Sequence, residues 1–316
     1  MIRFVGQRLL YLLPVLFGVA LLTFMIASLL PGDLAYVLLG DQATPEALAA
    51  VRRDLGLDQP ILLRFANWLG QVAQGDLGRS FRTGQSVMAS IVERLPVSIE
   101  LMLLAQIGAM TFAIPTAIFC AVHQGGRLDR LATSAAFGSL SVPTFLSAIL
   151  LIWLFAVQLE WLPATGYVPL TEGVLDNLRG FVLPALTLSI VEWPVLMRVL
   201  RSDMIATLRE NYIAMARAKG LTPARILLVH ALKPSSLTLV TVAGINIGRL
   251  LGGALIVEQI FALPGLGRHL VASIFARDLI MLQGAVLFVA VGFVLVNLAV
   301  DLIYAVLDPR IRRGRG

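Results

Sequence analysis

Charge is scarce in this chain. Asp, Glu, Lys and Arg make up 14% of its 316 residues, against about 25% in soluble domains. Cysteine is scarcer: Cys120 is the single one, so no intrachain disulfide can form. His123, His230 and His269 are scattered, and no Cys/His cluster offers a metal ligand set. No Gly-x-x-x-x-Gly-Lys-Ser/Thr run is present, so nothing here cradles nucleotide phosphates. No nucleophile stands with a base and an orienting partner. These absences argue against a disulfide-stapled domain, a metal centre and a nucleotide hydrolase; they predict a chain that is not itself an enzyme. A net charge of +6 raises nucleic acid as a partner. The basic residues, however, sit between apolar runs without aromatic interleaving, which favours a membrane instead.

What the chain has is oil: 58% of its residues are hydrophobic. A span needs about 20 mostly apolar residues, and six runs qualify: 9–30, 97–122, 131–157, 181–200, 237–261 and 283–307. The pattern predicts an all-α integral membrane protein with six transmembrane helices. Arg3 and Arg8 precede the first run as in a signal peptide, but the run is too long and Ala27-Ser28-Leu29 is a poor cleavage site, so it reads as retained. Pro115 and Pro143 lie inside runs and predict kinks.

Orientation follows from the asymmetry of Lys and Arg. With the amino terminus inside, the inner segments 1–8, 123–130, 198–234 and 308–316 carry 15 of the 25 basic residues and four acids. Both termini are then cytoplasmic. The outer segment 31–96 is too long for a plain connector. Thr44-Pro45-Glu46 opens one helical pattern there, ended by Gly56; Asp58-Gln59-Pro60 opens a second, closed by Gly75. The organisation expected is residues 1–30 as the amino-terminal end and first span, 31–96 as a small helical extracytoplasmic insert, 97–307 as a five-helix core with a cytoplasmic loop 201–236, and 308–316 as a basic tail.

That loop contains NYIAMARAKGLTPARILLVHALKPSS, residues 211–236. Ile205, Leu208, Tyr212 and Met215 recur at spacings of three, four and three, one apolar stripe on a helix. Lys219-Gly220 supplies a basic last turn and a residue that tolerates the left-handed region. Thr222-Pro223 reads as an N-cap followed by proline at the first helical position. The stretch therefore predicts helix, sharp turn at Gly220, new helix.

With Gly220 as anchor, this stretch resembles the cytoplasmic EAA loop of ATP-binding-cassette importer permeases. Ala214, Met215 and Ala216 stand where that family shows Glu-Ala-Ala, so the glutamate is absent, and Pro234 comes one residue late. ARAKGL followed by HALKP is most similar to the dipeptide and oligopeptide (nickel) branch, the subunit type with the long first extracytoplasmic loop. DLGLDQP (54–60), GDLGRSF (75–81), EQIFALPGLGRHL (258–270), and Asp301, Tyr304 and Asp308-Pro309-Arg310 carry the same resemblance through nearly the whole chain.

The resemblance implies a type I ABC importer permease fold. It implies a subunit in the inner membrane of a prokaryote that translocates di- or oligopeptides by alternating access, with nickel chelates or glutathione as alternative cargo; outside the resemblance, the alternative of a different class is a stand-alone secondary transporter. It further implies a second homologous permease subunit, two ABC ATPase subunits holding ATP and Mg, and an extracytoplasmic solute-binding protein. No cofactor is expected in this chain. Ala214, Met215, Ala216, Arg217, Lys219 and Gly220 are the residues expected to couple to the ATPase.

Ionisable residues at bilayer depth usually face protein or a water-filled path. Glu192 lies 11 residues into the fourth run from outside and Arg249 lies 12 into the fifth from inside. At about 1.5 Å per residue both sit near the midplane; they either pair or line the path. Glu258, nearer the outer face, is a candidate for an outer gate. Glu100 reads as a helix-dipole cap, and Gln106 and Asn246 as helix-to-helix hydrogen bonders. Pro264-Gly265 and Gly267 read as a tight reversal.

Overall fold

The computed structural model describes residues 2–29, 36, 43–54, 56–80 and 82–307. The tail 308–316, with Asp308-Pro309-Arg310, lies outside the described residues, as do the side chains of Asp301 and Tyr304 and parts of the 31–96 insert. Every regular element described is helical: α1 (Ile2–Leu29), α2 (Pro45–Asp54), α3 (Ile61–Ala73), α4 (Val87–Val122), α5 (Arg127–Ser141), α6 (Thr144–Gln158), α7 (Val174–Leu208), α8 (Asn211–Ala218), α9 (Pro223–Ile260), α10 (Leu266–Phe275) and α11 (Leu279–Leu307).

The described parts of the six apolar runs lie on helices, with a break at 142–143 inside the third. Among the described residues α4, α7, α9 and α11 are long and apolar enough to cross a bilayer, and α5 and α6 form a fifth apolar unit bent by 104°. Within α1 the apolar stretch is Leu12–Ile26. The bend falls where expected, with Pro143 just ahead of α6; Pro115 instead lies within α4, which continues past it. The helices outrun their apolar runs because a helix extends into water on polar residues that hydropathy does not count. Glu100 shows the consequence. Since α4 begins at Val87, Glu100 sits more than three turns inside it and is not an N-terminal cap.

The contacts divide the chain into two units. In one, Met1–Leu95 with His269–Val294, α1 packs on α3 through Phe17, Phe24, Phe65 and Trp68, with ring centroids 5.3–6.2 Å apart. The Arg64 guanidinium lies over Phe24 at 5.9 Å. Both expected insert helices are present. The Thr44 hydroxyl accepts from the Ala47 N–H at 3.2 Å, capping α2. Gly56 and Gly75 take positive φ after α2 and α3, as glycines that end helices do.

The other unit, Pro96–Arg268 with Leu295–Gly316, holds the larger apolar core. Ala109, Ala113 and Ala117 recur every four residues on α4 and are fully buried, a small-residue stripe that admits Leu196, Met197, Leu200 and Met204 of α7. The Ser189 hydroxyl bonds the Ala105 carbonyl across the two helices at 2.9 Å. Helices α7 and α9 pack along their length, with Leu188 against the face of Gly253. Leu103, Ile107, Phe112, Ile149 and Leu150 point outward, as lipid tails permit and water would not.

Candidate functional site

The polar segment between α7 and α9 is built in three steps. Helix α7 ends at Leu208, and Glu210 turns extended, with φ −69° and ψ 146°. The stripe read as one helix therefore runs across two, because the turn at 209–210 resets its phase. Helix α8 buries Ile213 and Ala216 against Leu208, Leu221 and Ile226, while Tyr212 and Met215 are exposed, Met215 at 60%. So the outward face carries Ala214, Met215, Arg217 and Lys219, and Ala216 is a packing residue.

Gly220 closes α8 as expected. Its φ is +76°, its N–H bonds Arg217 O at 2.9 Å, and the Leu221 N–H reaches back to Ala216 O at 3.2 Å. This is the paired C-terminal bonding that a left-handed residue makes possible, and Leu221 packs against the cluster of Ile213, Ala216 and Ile226. Pro223 then starts α9, whose residues Ile226–Ala231 are wound as a π-helix. Thr222 is in place as N-cap, but its hydroxyl makes no capping bond. Pro234 has no N–H to return to the His230 carbonyl four residues back. The Tyr212 hydroxyl donates to that carbonyl at 3.3 Å, tying α8 to α9.

A second fastening was not legible in the sequence. Asp129, at the start of α5 and 3% exposed, accepts from Arg201 of α7 at two oxygens, Nε at 2.7 Å and Nη2 at 2.6 Å, and from the Gly125 N–H at 2.9 Å. Nearby, Arg209 donates to Gln124 at 3.0 Å. The partners are 72 residues apart, and nothing local marks either of them as paired. The fork-to-fork geometry fixes α7 relative to the 123–129 turn just before it feeds α8.

At mid-helix, α7 and α9 run antiparallel. Glu192 lies four residues beyond Leu188 and Arg249 four before Gly253, so the Leu188–Gly253 contact puts the two charges at one level. They make no ion pair: Glu192 is buried with Oε2 unpartnered, whereas Arg249 is exposed. The expected helix-to-helix bonds of Gln106 and Asn246 are not formed; both side chains are buried, and Gln106 Nε2 and Oε1 and Asn246 Nδ2 lack partners.

Glu258 is fully buried. It accepts from the Ser98 hydroxyl at 2.6 Å and the Arg268 N–H at 3.1 Å, and Ser98 in turn accepts from the Leu266 N–H at 2.9 Å. The carboxylate thus fastens the 262–268 loop to α4 and offers no exposed oxygen. The loop's glycines serve it differently from expected. The left-handed residue is Ala262, at φ 56°. Gly265 and Gly267 are needed for space: a Cβ on Gly265 would strike the Glu258 carboxylate, and one on Gly267 the backbone of Leu255.

Comparison with known proteins places this geometry in context. The model of the family described as binding-protein-dependent transport system inner membrane component matches residues 113–313, and that of its N-terminal membrane component matches 1–102. A putative peptide transport system permease protein of Brucella abortus is 42% identical over 306 residues, 97% of this chain and 98% of its own. The di/tripeptide transport system permease protein DppB of Pseudomonas aeruginosa is 36% identical over 336 residues, the whole of both chains. The glutathione transport system permease protein GsiC of Salmonella typhimurium is 38% identical over 312 residues, 99% of each. An inward-facing form of the MetNI methionine ABC transporter superposes with a TM-score of 0.58 at 16% identity, over 70% of this chain and 97% of that one, a likeness of fold.

Proposed function

The chain belongs to the binding-protein-dependent transport system inner membrane component family, and from that premise we propose that it carries di- and oligopeptides across a cytoplasmic membrane. It is a multi-pass permease of an ABC importer, with the type I permease fold, and works with ATPase and binding-protein partners. A stand-alone secondary transporter is set aside by that membership. The peptide reading rests on one observation: full-length relatedness to permeases whose names specify peptides. Glutathione is the second reading, favoured by the equally complete match to GsiC; it is itself a tripeptide.

In the mechanism we propose, this subunit pairs with a second permease above two ATPase subunits, both of its termini lying in the cytoplasm and residues 31–96 outside. ATP-driven closure of the ATPases presses on the exposed face of α8, at Ala214, Met215, Arg217, Lys219 and Gly220. Ala216 transmits that push through its buried contact. The Gly220 turn and the Tyr212–His230 bond carry the movement into α9, and the Asp129–Arg201 pair passes movement of α7 to the start of α5. Arg249, exposed at the level of Glu192, is available to the path, and Glu258 holds the outer loop in register. The chain itself hydrolyses nothing.

Reconstituted with its partner subunits and binding protein, the complex should raise its ATPase rate when di- or tripeptides are added. Stimulation by nickel chelates and not by peptides would overturn the cargo assignment.

A further inference from the structure

In the unit formed by Met1–Leu95 and His269–Val294, an open cavity of about 340 Å³ is walled by Arg82, Thr83, Arg94, His269, Ser273 and Asp278, among others. Its walls are fastened. The Ser80 hydroxyl bonds the Asp278 carboxylate, the Met281 N–H reaches the other oxygen of that acid at 3.2 Å, and Arg82 donates to the Ala276 carbonyl at 2.7 Å. These bonds hold Arg82 in the lining it shares with His269 and Ser273 without using it up. Among the described residues, only Nη1 of the Arg82 guanidinium is engaged. Of Arg94 only Nη1 is engaged, with the Ser90 carbonyl at 2.9 Å and the exposed Glu93 at 3.2 Å. Five donors per guanidinium leave several N–H groups of each without a protein partner among the described residues. In the same wall His269 Nε2 is buried and unpartnered. Burial, with the charge of Arg94 adding to it, holds that imidazole below its usual range, so it is neutral at pH 7.

We propose that this cavity is a binding site for a monoanionic carboxylate, the free carboxyl end of a short peptide. Planar guanidinium forks match a carboxylate at two oxygens, which a point charge does not. The Asp278 charge in the same wall disfavours a dianion such as phosphate. The cavity is concave and small, suited to the end of a peptide and not to a protein face. The choice of ligand rests on the peptide reading above, but the test does not pass through transport, so either can fail alone.

The assembled permease–ATPase complex in lipid nanodiscs is treated with phenylglyoxal, and modified arginines are mapped by mass spectrometry with dialanine, dialanine amide, acetate or inorganic phosphate present. Dialanine should slow modification of Arg82 and Arg94 severalfold and acetate should do so at higher concentration. The amide should not, and exposed Arg53 should react alike throughout. Arg94→Gln should raise about tenfold the dialanine concentration that half-protects Arg82, the loss expected for one charge-assisted contact. Absence of protection, equal protection by the amide, or stronger protection by phosphate overturns the site. Protection seen only when the binding protein is added assigns the carboxylate to a side chain of that protein and overturns the free-peptide assignment.

Discussion

Gly220→Val leaves the complex hydrolysing ATP while peptide uptake falls about 5- to 30-fold, the factor that one to two kcal/mol sets. Nothing lies within 4 Å of the position a Cβ would take, so the substitution meets no clash. The cost is in the backbone. A φ of +76° is open to glycine and costs other residues about 1–2 kcal/mol, most for a β-branched side chain. Relief of that strain breaks the back-bonds of Gly220 and Leu221 and lets α8 swing on its buried residues Ile213 and Ala216. The segment is exposed, so membrane insertion and expression should stay as in the parent. Gly220→Asn, which tolerates the left-handed region, should keep most of the uptake. Parental uptake in the valine variant, measured in proteoliposomes beside ATPase activity, would remove Gly220 from the coupling account.

Asp129→Asn should destabilise the folded subunit by about 3 kcal/mol, the low end for breaking one side of a buried pair, because the Arg201 side chain keeps 24% of its exposure. The change leaves a guanidinium facing an amide: the Asn oxygen can keep one of the two short bonds at 2.6 and 2.7 Å, and the other becomes N–H against N–H. Asp129→Leu combined with Arg201→Met should recover most of the loss, since apolar replacement removes the desolvation cost of both charges. The readout is the temperature at which the detergent-solubilised complex loses its fold, compared at one scan rate. A shift in Asp129→Asn no larger than that of an ordinary surface substitution, about 0.5 kcal/mol, would show that the pair is not structural.

What could be seen in the sequence, and what could not, divides by range. A bilayer demands runs of about 20 apolar residues, and the described parts of the six runs lie on helices, one run being split into a bent pair. Pro143 and Gly220 act through their own backbones, so the bend and the turn were visible one residue at a time. The face that α8 buries was not. Ile213/Ala216 and Tyr212/Met215 are both plausible stripes by spacing, and the choice is made by Leu208, Leu221 and Ile226 folding back on the first pair. The roles of Gly265 and Gly267 were hidden for the same reason, since what excludes a side chain there is Glu258 and Leu255, several residues away. Pairings across 72 and 160 residues, Asp129 with Arg201 and Ser98 with Glu258, leave no local trace at all. Mid-helix polarity misled in the other direction. Gln106 and Asn246 suggested bonds between helices, yet their buried atoms stand without partners.

The central claim is that an ATPase seats on the outward face of α8. Met215, exposed at 60% in this chain, sits on that face, whereas the single native cysteine, Cys120, is buried. The direct measurement is the labelling rate of Met215→Cys by a membrane-impermeant maleimide, in the permease alone and in the complete complex. Slow labelling in the complex, slower still with ATP bound, is the predicted result. A thiol labelled as fast in the assembled, ATP-bound complex as in the bare permease would contradict the account.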